Sequence, residues 1–186
     1  MKQRMLRGEL YLANDPELTA ERARAQRLLE RFNRSSADEQ GLRREALRDL
    51  LGEVGDSVFL NPPFYCDYGT QITIRAGTFV NYGCVFLDVA RIEIGEACQL
   101  GPYVQLLTPT HPLEPDLRRE GWEAGHPITL GDNVWLGGGV IVCPGVTIGA
   151  DTVVGAGAVV TRDLPAGVLA VGNPARVVRE RLPQRG

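Results

Sequence analysis

The chain has 186 residues, 44% of them hydrophobic and 23% charged, enough for one or two compact units around a sizeable core and unlike a disordered or fibrous chain. A formal net charge of −3 argues against nucleic acid as the main partner, because phosphate binding needs a clustered basic excess. No apolar run approaches the ~20 residues of a membrane span, and the opening MKQRMLRGELY has no apolar stretch behind its charges, so neither a membrane partner nor a signal peptide is expected.

Residues 15–52 carry a helical pattern. Asp15 followed by Pro16 fits an N-cap with proline in the first turn. Leu18, Ala25, Leu28, Leu29 and Phe32 then recur at spacings near three and four, with arginines and glutamates between them on a solvated face. The run SADE at residues 36–39 has capping-box spacing and opens a second helix through Leu42, Ala46, Leu47 and Leu50, which Gly52 and Gly55 end. Residues 1–57 therefore read as a helical cap that packs rather than catalyses.

From about Val58 the period changes to six. The C-terminal run divides into LGDNVW, LGGGVI, VCPGVT, IGADTV, VGAGAV and VTRDLP, with an aliphatic at the head of every block. Extended backward, the same frame gives IGEACQ, LGPYVQ and LLTPTH, starting at Ile94, Leu100 and Leu106. An earlier tract from Ile74 keeps the period two residues out of phase, which predicts one irregular corner around residues 88–91. Six residues fit neither the 3.6 of a helix nor the two of a plain strand. They fit a short strand and a tight turn, with the aliphatic inward and Gly, Asn or Asp at the corner. Three such sides close a coil, and stacked coils bury one apolar column. Cys84 and Cys98 fall on the inward fifth position. With Cys66 and Cys143 they show no C-x-x-C spacing, which suits reduced thiols and a cytoplasmic protein rather than a zinc ribbon or redox pair.

One segment breaks the repeat. LLTPTHPLEPDLRREG, residues 106–121, carries prolines, charges and one of only two histidines in the chain. The frame resumes at Leu130, so a loop of about 15 residues, about 112–127, is expected to leave the coil here. Long insertions in compact folds are commonly functional.

The hexapeptide tract, the T-x-x-H-P motif, GELYLANDPEL at residues 8–18, NPPFYCDYG at residues 61–69 and NPARVVRE at residues 173–180 together resemble the maltose/galactoside/nodulation-type sugar O-acetyltransferases over nearly the whole chain. The resemblance implies a mainly β fold, a left-handed parallel β-helix over residues 58–186 with an extruded loop and a C-terminal tail, an exception to the right-handed crossover rule. It implies acetyl-CoA as donor, a sugar hydroxyl as acceptor, no required metal, and a homotrimer with sites between subunits. His111 would be the general base: an imidazole, ordinarily titrating near ~6.5, can take a proton from a hydroxyl attacking a thioester, with no acyl-enzyme.

On the acceptor side the resemblance points to Asn81, whose amide both donates and accepts, and to Asp15, already given a capping role. Phe79 stands where relatives carry tyrosine. Glu123 and Trp122 fall in the loop, where an aromatic can stack on a pyranose or pack locally. On the donor side it points to Trp135, to the Gly138 backbone N–H as an oxyanion donor, to Ala156, Thr161 and Arg162 along the CoA path, and to Arg176 and Arg179 near the nucleotide phosphates. Each has a plainer reading as turn chemistry, interface or solvated charge. His126 reads as a loop residue. Three rivals remain open: a zinc enzyme of carbonic anhydrase type, disfavoured by two histidines; a non-catalytic coil scaffold; and the same chemistry on serine, an antibiotic or an amino sugar. No P-loop or dinucleotide fingerprint occurs.

Overall fold

A computed structural model describes residues 1–180; residues 181–186, the end of the expected tail, lie outside the described residues. Its body is a parallel β-helix of stacked coils with three faces. The first face holds Glu53–Val54, Ile72–Ile74, Ile92–Ile94, Ile128–Leu130 and Thr147–Ile148. The second holds Phe59–Leu60, Phe79–Val80, Gln99–Leu100, Trp135–Leu136, Val153–Val154 and Leu169–Val171, and the third runs from Phe64–Cys66 through Cys84–Leu87, Gln105–Leu107 and Ile141–Val142 to Val159–Val160.

The period of six is the geometry of one side. Leu130, Leu136, Val142, Ile148, Val154 and Val160 are all buried, as are fifth-position Val134, Val140, Val146, Thr152 and Ala158. Cys84 and Cys98 are fully buried in the same column, and burial pushes the Cys84 thiol up to about 11.

Register shows where the coils depart from the ideal. Leu130 pairs with Ile148, one regular coil of 18 residues, but Val54 pairs with Ile74 and Ile74 with Ile94, coils of 20. The two extra residues lie at the corner between the third and first faces. The expected irregular corner at residues 88–91 is therefore real, and a second lies directly beneath it at residues 67–70. Asp88 ties them together: its buried carboxylate accepts backbone N–H groups from Asp67 at 3.0 Å, Tyr68 at 2.9 Å and Gln71 at 3.2 Å. The next corner up is where the loop leaves, so Ile94 pairs with Leu130, 36 residues on.

The N-terminal segment differs in detail from its expectation. A short helix α1 (Lys2–Leu6) and a strand (Tyr11–Leu12) precede α2 (Pro16–Asn33). Asp15 caps α2, its Oδ1 accepting from Glu17 N at 3.1 Å and Leu18 N at 3.4 Å. Helix α3 (Gln40–Leu50) begins after the SADE run, because only half of the capping box forms: Glu39 accepts from Ser36 N at 2.7 Å, while the Ser36 side chain caps nothing. The first coil strand, Glu53–Val54, lies inside the segment assigned to the cap. Helices α2 and α3 cover the open edge of that coil, with Asn33 exchanging two 2.9 Å bonds with the Phe64 backbone. At the other end Arg176–Arg179 folds back antiparallel on Leu169–Val171.

Candidate active site

The extruded loop is structured. Pro109–Thr110 and Trp122–Gly125 form an antiparallel pair, and Tyr11–Leu12 adds on the outer side, so the N-terminal cap and the loop share one three-stranded sheet. A short helix α4 (Pro115–Arg119) spans the tip. Arg118 Nη1 donates to the Pro112 and Leu113 carbonyls at 2.8 and 3.1 Å, fixing the turn that follows His111. Trp122 Nε1 donates to Glu120 at 3.0 Å and the Arg4 guanidinium sits 5.5 Å from its ring centroid. One face of that indole is thus taken from within the chain.

His111 follows directly on the Pro109–Thr110 strand, its side chain 55% exposed. Its Nδ1 lies 3.5 Å from the Trp122 carbonyl oxygen and its Nε2 3.9 Å from Glu123 Oε2. The other Glu123 oxygen accepts from the hydroxyl of Tyr11, its strand partner, which is wholly buried. Beneath this lies a polar cluster that the sequence did not disclose. Arg22 of α2 donates to Tyr68 OH at 3.0 Å and stacks over its ring, and its Nε is buried without a hydrogen-bond partner among the described residues. Asp67, on the lower irregular corner, is half-buried; burial raises its carboxyl above the usual range, Arg22 works against that, and Glu123 adds to it. Burial likewise raises the Tyr11 and Tyr68 phenols, which keeps them protonated donors. These residues come from three segments with no shared spacing, so no motif could have announced them.

The structure brings Glu123 and His111 together, keeps Asp15 at the N-cap of α2, and leaves the other predicted residues elsewhere on the coil and its terminal hairpin. Asn81 sits at the corner between the second and third faces, with its Oδ1 accepting from Tyr82 N at 2.8 Å. That is the corner use its type suggests, and the Nδ2 group is left to donate. Trp135, 55% exposed, projects outward from the second face. Gly138 and Ala156 stack at the corner beyond it. There Gly137 N donates to Val154 O and Gly139 N to Pro102 O, both at 2.8 Å, while the Gly138 N–H has no protein acceptor among the described residues. Gly139 holds φ of +68° with open space where a Cβ would stand, so the corner is a bare backbone shelf. Thr161, Arg162, Arg176 and Arg179 are all exposed near the last coils. His126 is exposed beside a cavity of about 700 Å³ with Arg7 and Arg91 and has no contact with His111. Among the described residues no cluster of His, Cys, Asp and Glu is arranged to hold a metal, and no helix is long and apolar enough to cross a membrane.

The maltose acetyltransferase hexapeptide capping motif matches residues 4–55, the segment that folds as α1 to α3, and six bacterial transferase hexapeptide repeats match residues 127–162. Nodulation protein L of Rhizobium meliloti (strain 1021) is 49% identical, over 95% of this chain and 96% of its own. The chain belongs to the hexapeptide-repeat sugar O-acetyltransferase family. Among solved members of the family, a maltose O-acetyltransferase from Clostridium difficile 630 has a TM-score of 0.96 at 46% identity, covering 98% of this chain and 97% of that one. A hexapeptide-repeat acetyltransferase from Vibrio cholerae O1 biovar eltor, complexed with acetyl-CoA, has a TM-score of 0.90 at 37% identity and covers 97% and 98%.

Proposed function

We propose that this family member is an acetyl-CoA-dependent O-acetyltransferase acting on a hydroxyl of a maltose-, glucose- or galactoside-like sugar, with His111 as general base. The observation that carries the reading is the placement of His111 at the end of a loop strand, its ring between the Trp122 carbonyl and the Glu123 carboxylate. A carbonyl oxygen can only accept, so the tautomer with its hydrogen on Nδ1, toward the Trp122 carbonyl, is the one that keeps the Nε2 lone pair for chemistry.

When bound, acetyl-CoA supplies an acetyl group already activated as a thioester. The acceptor hydroxyl gives its proton to His111 Nε2 as its oxygen bonds to the carbonyl carbon. The C–S bond then breaks, and the proton on Nε2 passes to the departing sulfur, which resets the base. The unpartnered Gly138 N–H is suited to the developing oxyanion. The shelf over Gly137, Gly138 and Gly139 admits a slender arm beside Trp135, continuing past Ala156 to Thr161 and Arg162, while Arg176 and Arg179 offer charge to phosphates. Asn81 Nδ2 and Asp15 Oδ2, the latter 3.7 Å from the Met1 ammonium, face the acceptor in this reading, while Glu123, expected beside them, is turned to Tyr11 and His111.

We infer a homotrimer in the cytoplasm. His111 leaves the corner between the third and first faces, whereas Trp135 and Gly138 stand on the second face and its corner with the third. A groove between two copies reconciles those positions, and exposed Phe59, Tyr65, Tyr82 and Tyr103 on the outer faces and corners suit coverage by a neighbour.

The test is acceptor-dependent release of CoA thiol across maltose, glucose, galactosides, glucosamine and serine, with product positions assigned by NMR. Turnover with a sugar is expected. Release with serine alone would move the reading to another acceptor, and no turnover together with no acetyl-CoA binding by calorimetry would leave a scaffold.

A further inference from the structure

The Tyr11–Glu123 pair does more than close a small sheet. Glu123 presents one carboxylate oxygen to the buried Tyr11 hydroxyl and the other to His111 Nε2, 3.9 Å away. The nitrogen beside the carboxylate is the one left basic by the Trp122 carbonyl. A neutral ring gains little from that neighbouring negative charge. Once Nε2 takes a proton the ring is cationic, and the same carboxylate stabilises it. The interaction is therefore stronger in the transition state than before it, which is the kind that accelerates a step.

Tyr11 makes this possible. Its phenol is kept protonated by burial first and then by Glu123, so it serves as a fixed donor that stops the carboxylate from turning to solvent. The groups facing Glu123 are Tyr11 from the N-terminal strand, Arg22 from α2, and Asp67 and Tyr68 from the lower irregular corner. Arg22 feels the Glu123 charge but is hydrogen-bonded to Tyr68 and stands beyond ion-pair distance of Glu123, so among the described residues His111 is the basic side chain within ion-pair distance of that carboxylate. This also gives the N-terminal segment a part in the chemistry, through a residue 112 positions away in sequence.

We propose that Glu123, held by Tyr11, is a positioning residue that acts through His111, orienting Nε2 and balancing the charge the imidazole gains during acetyl transfer. This rests on His111 being the general base, and the experiment separates the two. His111→Ala tests the base itself: normal turnover by that variant overturns the base and this proposal together. With the base established, Glu123→Gln keeps shape and removes charge. It is expected to lower kcat about ten- to a hundredfold with acceptor KM within about twofold, and to move the acidic limb of the kcat profile to lower pH. Glu123→Asp is expected to restore the position of that limb. Tyr11→Phe is expected to lower kcat about three- to tenfold, and adding it to Glu123→Gln should cost nothing further, since the hydroxyl acts through the carboxylate. This cycle stands even where one variant folds poorly, because Tyr11→Phe alone must change kcat before KM. A tenfold rise in acceptor KM with kcat and limb unchanged would overturn the proposal and make Glu123 an acceptor contact only. Full additivity of the two substitutions would overturn it as well.

Discussion

The Asp88 carboxylate accepts the Tyr68 backbone N–H at 2.9 Å, stapling one irregular corner of the coil to the corner beneath it. Burial pushes this carboxyl up to about 7, with the backbone N–H groups of Tyr68, Gly69 and Gln71 pulling it down. The ordinary value is 3.8, so between about pH 4 and pH 7 the folded chain binds a proton that the unfolded chain has lost. The stability from this group is complete below about pH 4 and is lost as pH rises through about 7. Asp88→Asn removes the slope. Its stability relative to the native chain is expected to shift in its favour by a few kcal/mol between pH 4 and pH 8, read by urea denaturation at each pH. A pH-independent difference would mean that Asp88 is not titrating there.

Close stacking at the glycine corner predicts a different cost. A Cβ on Gly137 would stand 2.5 Å from Ala156 N, a backbone atom of the next coil that cannot give way without disturbing the ladder. Gly137→Ala is expected to destabilise by about 1–3 kcal/mol. Gly157→Ala has open space at its Cβ but φ of +70°, and is expected to cost about 1–2 kcal/mol from strain alone. Thermal melts of the two variants check the order.

The coil was legible because each inward aliphatic is a local necessity: Leu130, Leu136 and Val142 sit six apart whatever the rest of the chain does. The irregular corner at residues 88–91 was legible as a phase slip. Its companion at residues 67–70 was not, since too little repeat precedes it to define a phase. Asp15 and Pro16 announced α2 by local capping chemistry, whereas SADE misplaced the start of α3 because only its glutamate bonds. His111 stood out by interrupting the repeat. Of its neighbours only Glu123 was named beforehand, by its place in the loop: Tyr11, Arg22 and Asp67 meet it only after the N-terminal strand pairs with the loop, and pairing across 112 residues leaves no spacing to read.

His111 is more than half exposed and makes no short hydrogen bond among the described residues, so removing it should leave the fold intact. His111→Ala is expected to lower kcat by about 10²- to 10⁴-fold, with a melting temperature and acetyl-CoA affinity like those of the native chain. Thiol-release kinetics beside calorimetric titration check this. Near-normal turnover would remove the residue from the mechanism.

The donor path separates into an arm and a head. Trp135 stands beside the bare corner and is 55% exposed, so Trp135→Ala should spare stability while weakening every thioester donor. Arg176 and Arg179 lie exposed on the terminal hairpin, with Arg176 Nη1 bonded, among the described residues, only to the neighbouring Ala175 carbonyl at 2.9 Å. Replacing both with alanine is expected to raise KM for acetyl-CoA about tenfold, in proportion to lost charge-assisted hydrogen bonds. The effect should shrink as salt is added. With acetyl-pantetheine as donor, which carries no nucleotide, the double variant and the native chain should show the same KM, while Trp135→Ala should still be impaired. Equal loss with both donors would place the arginines in the fold of the hairpin rather than at the phosphates.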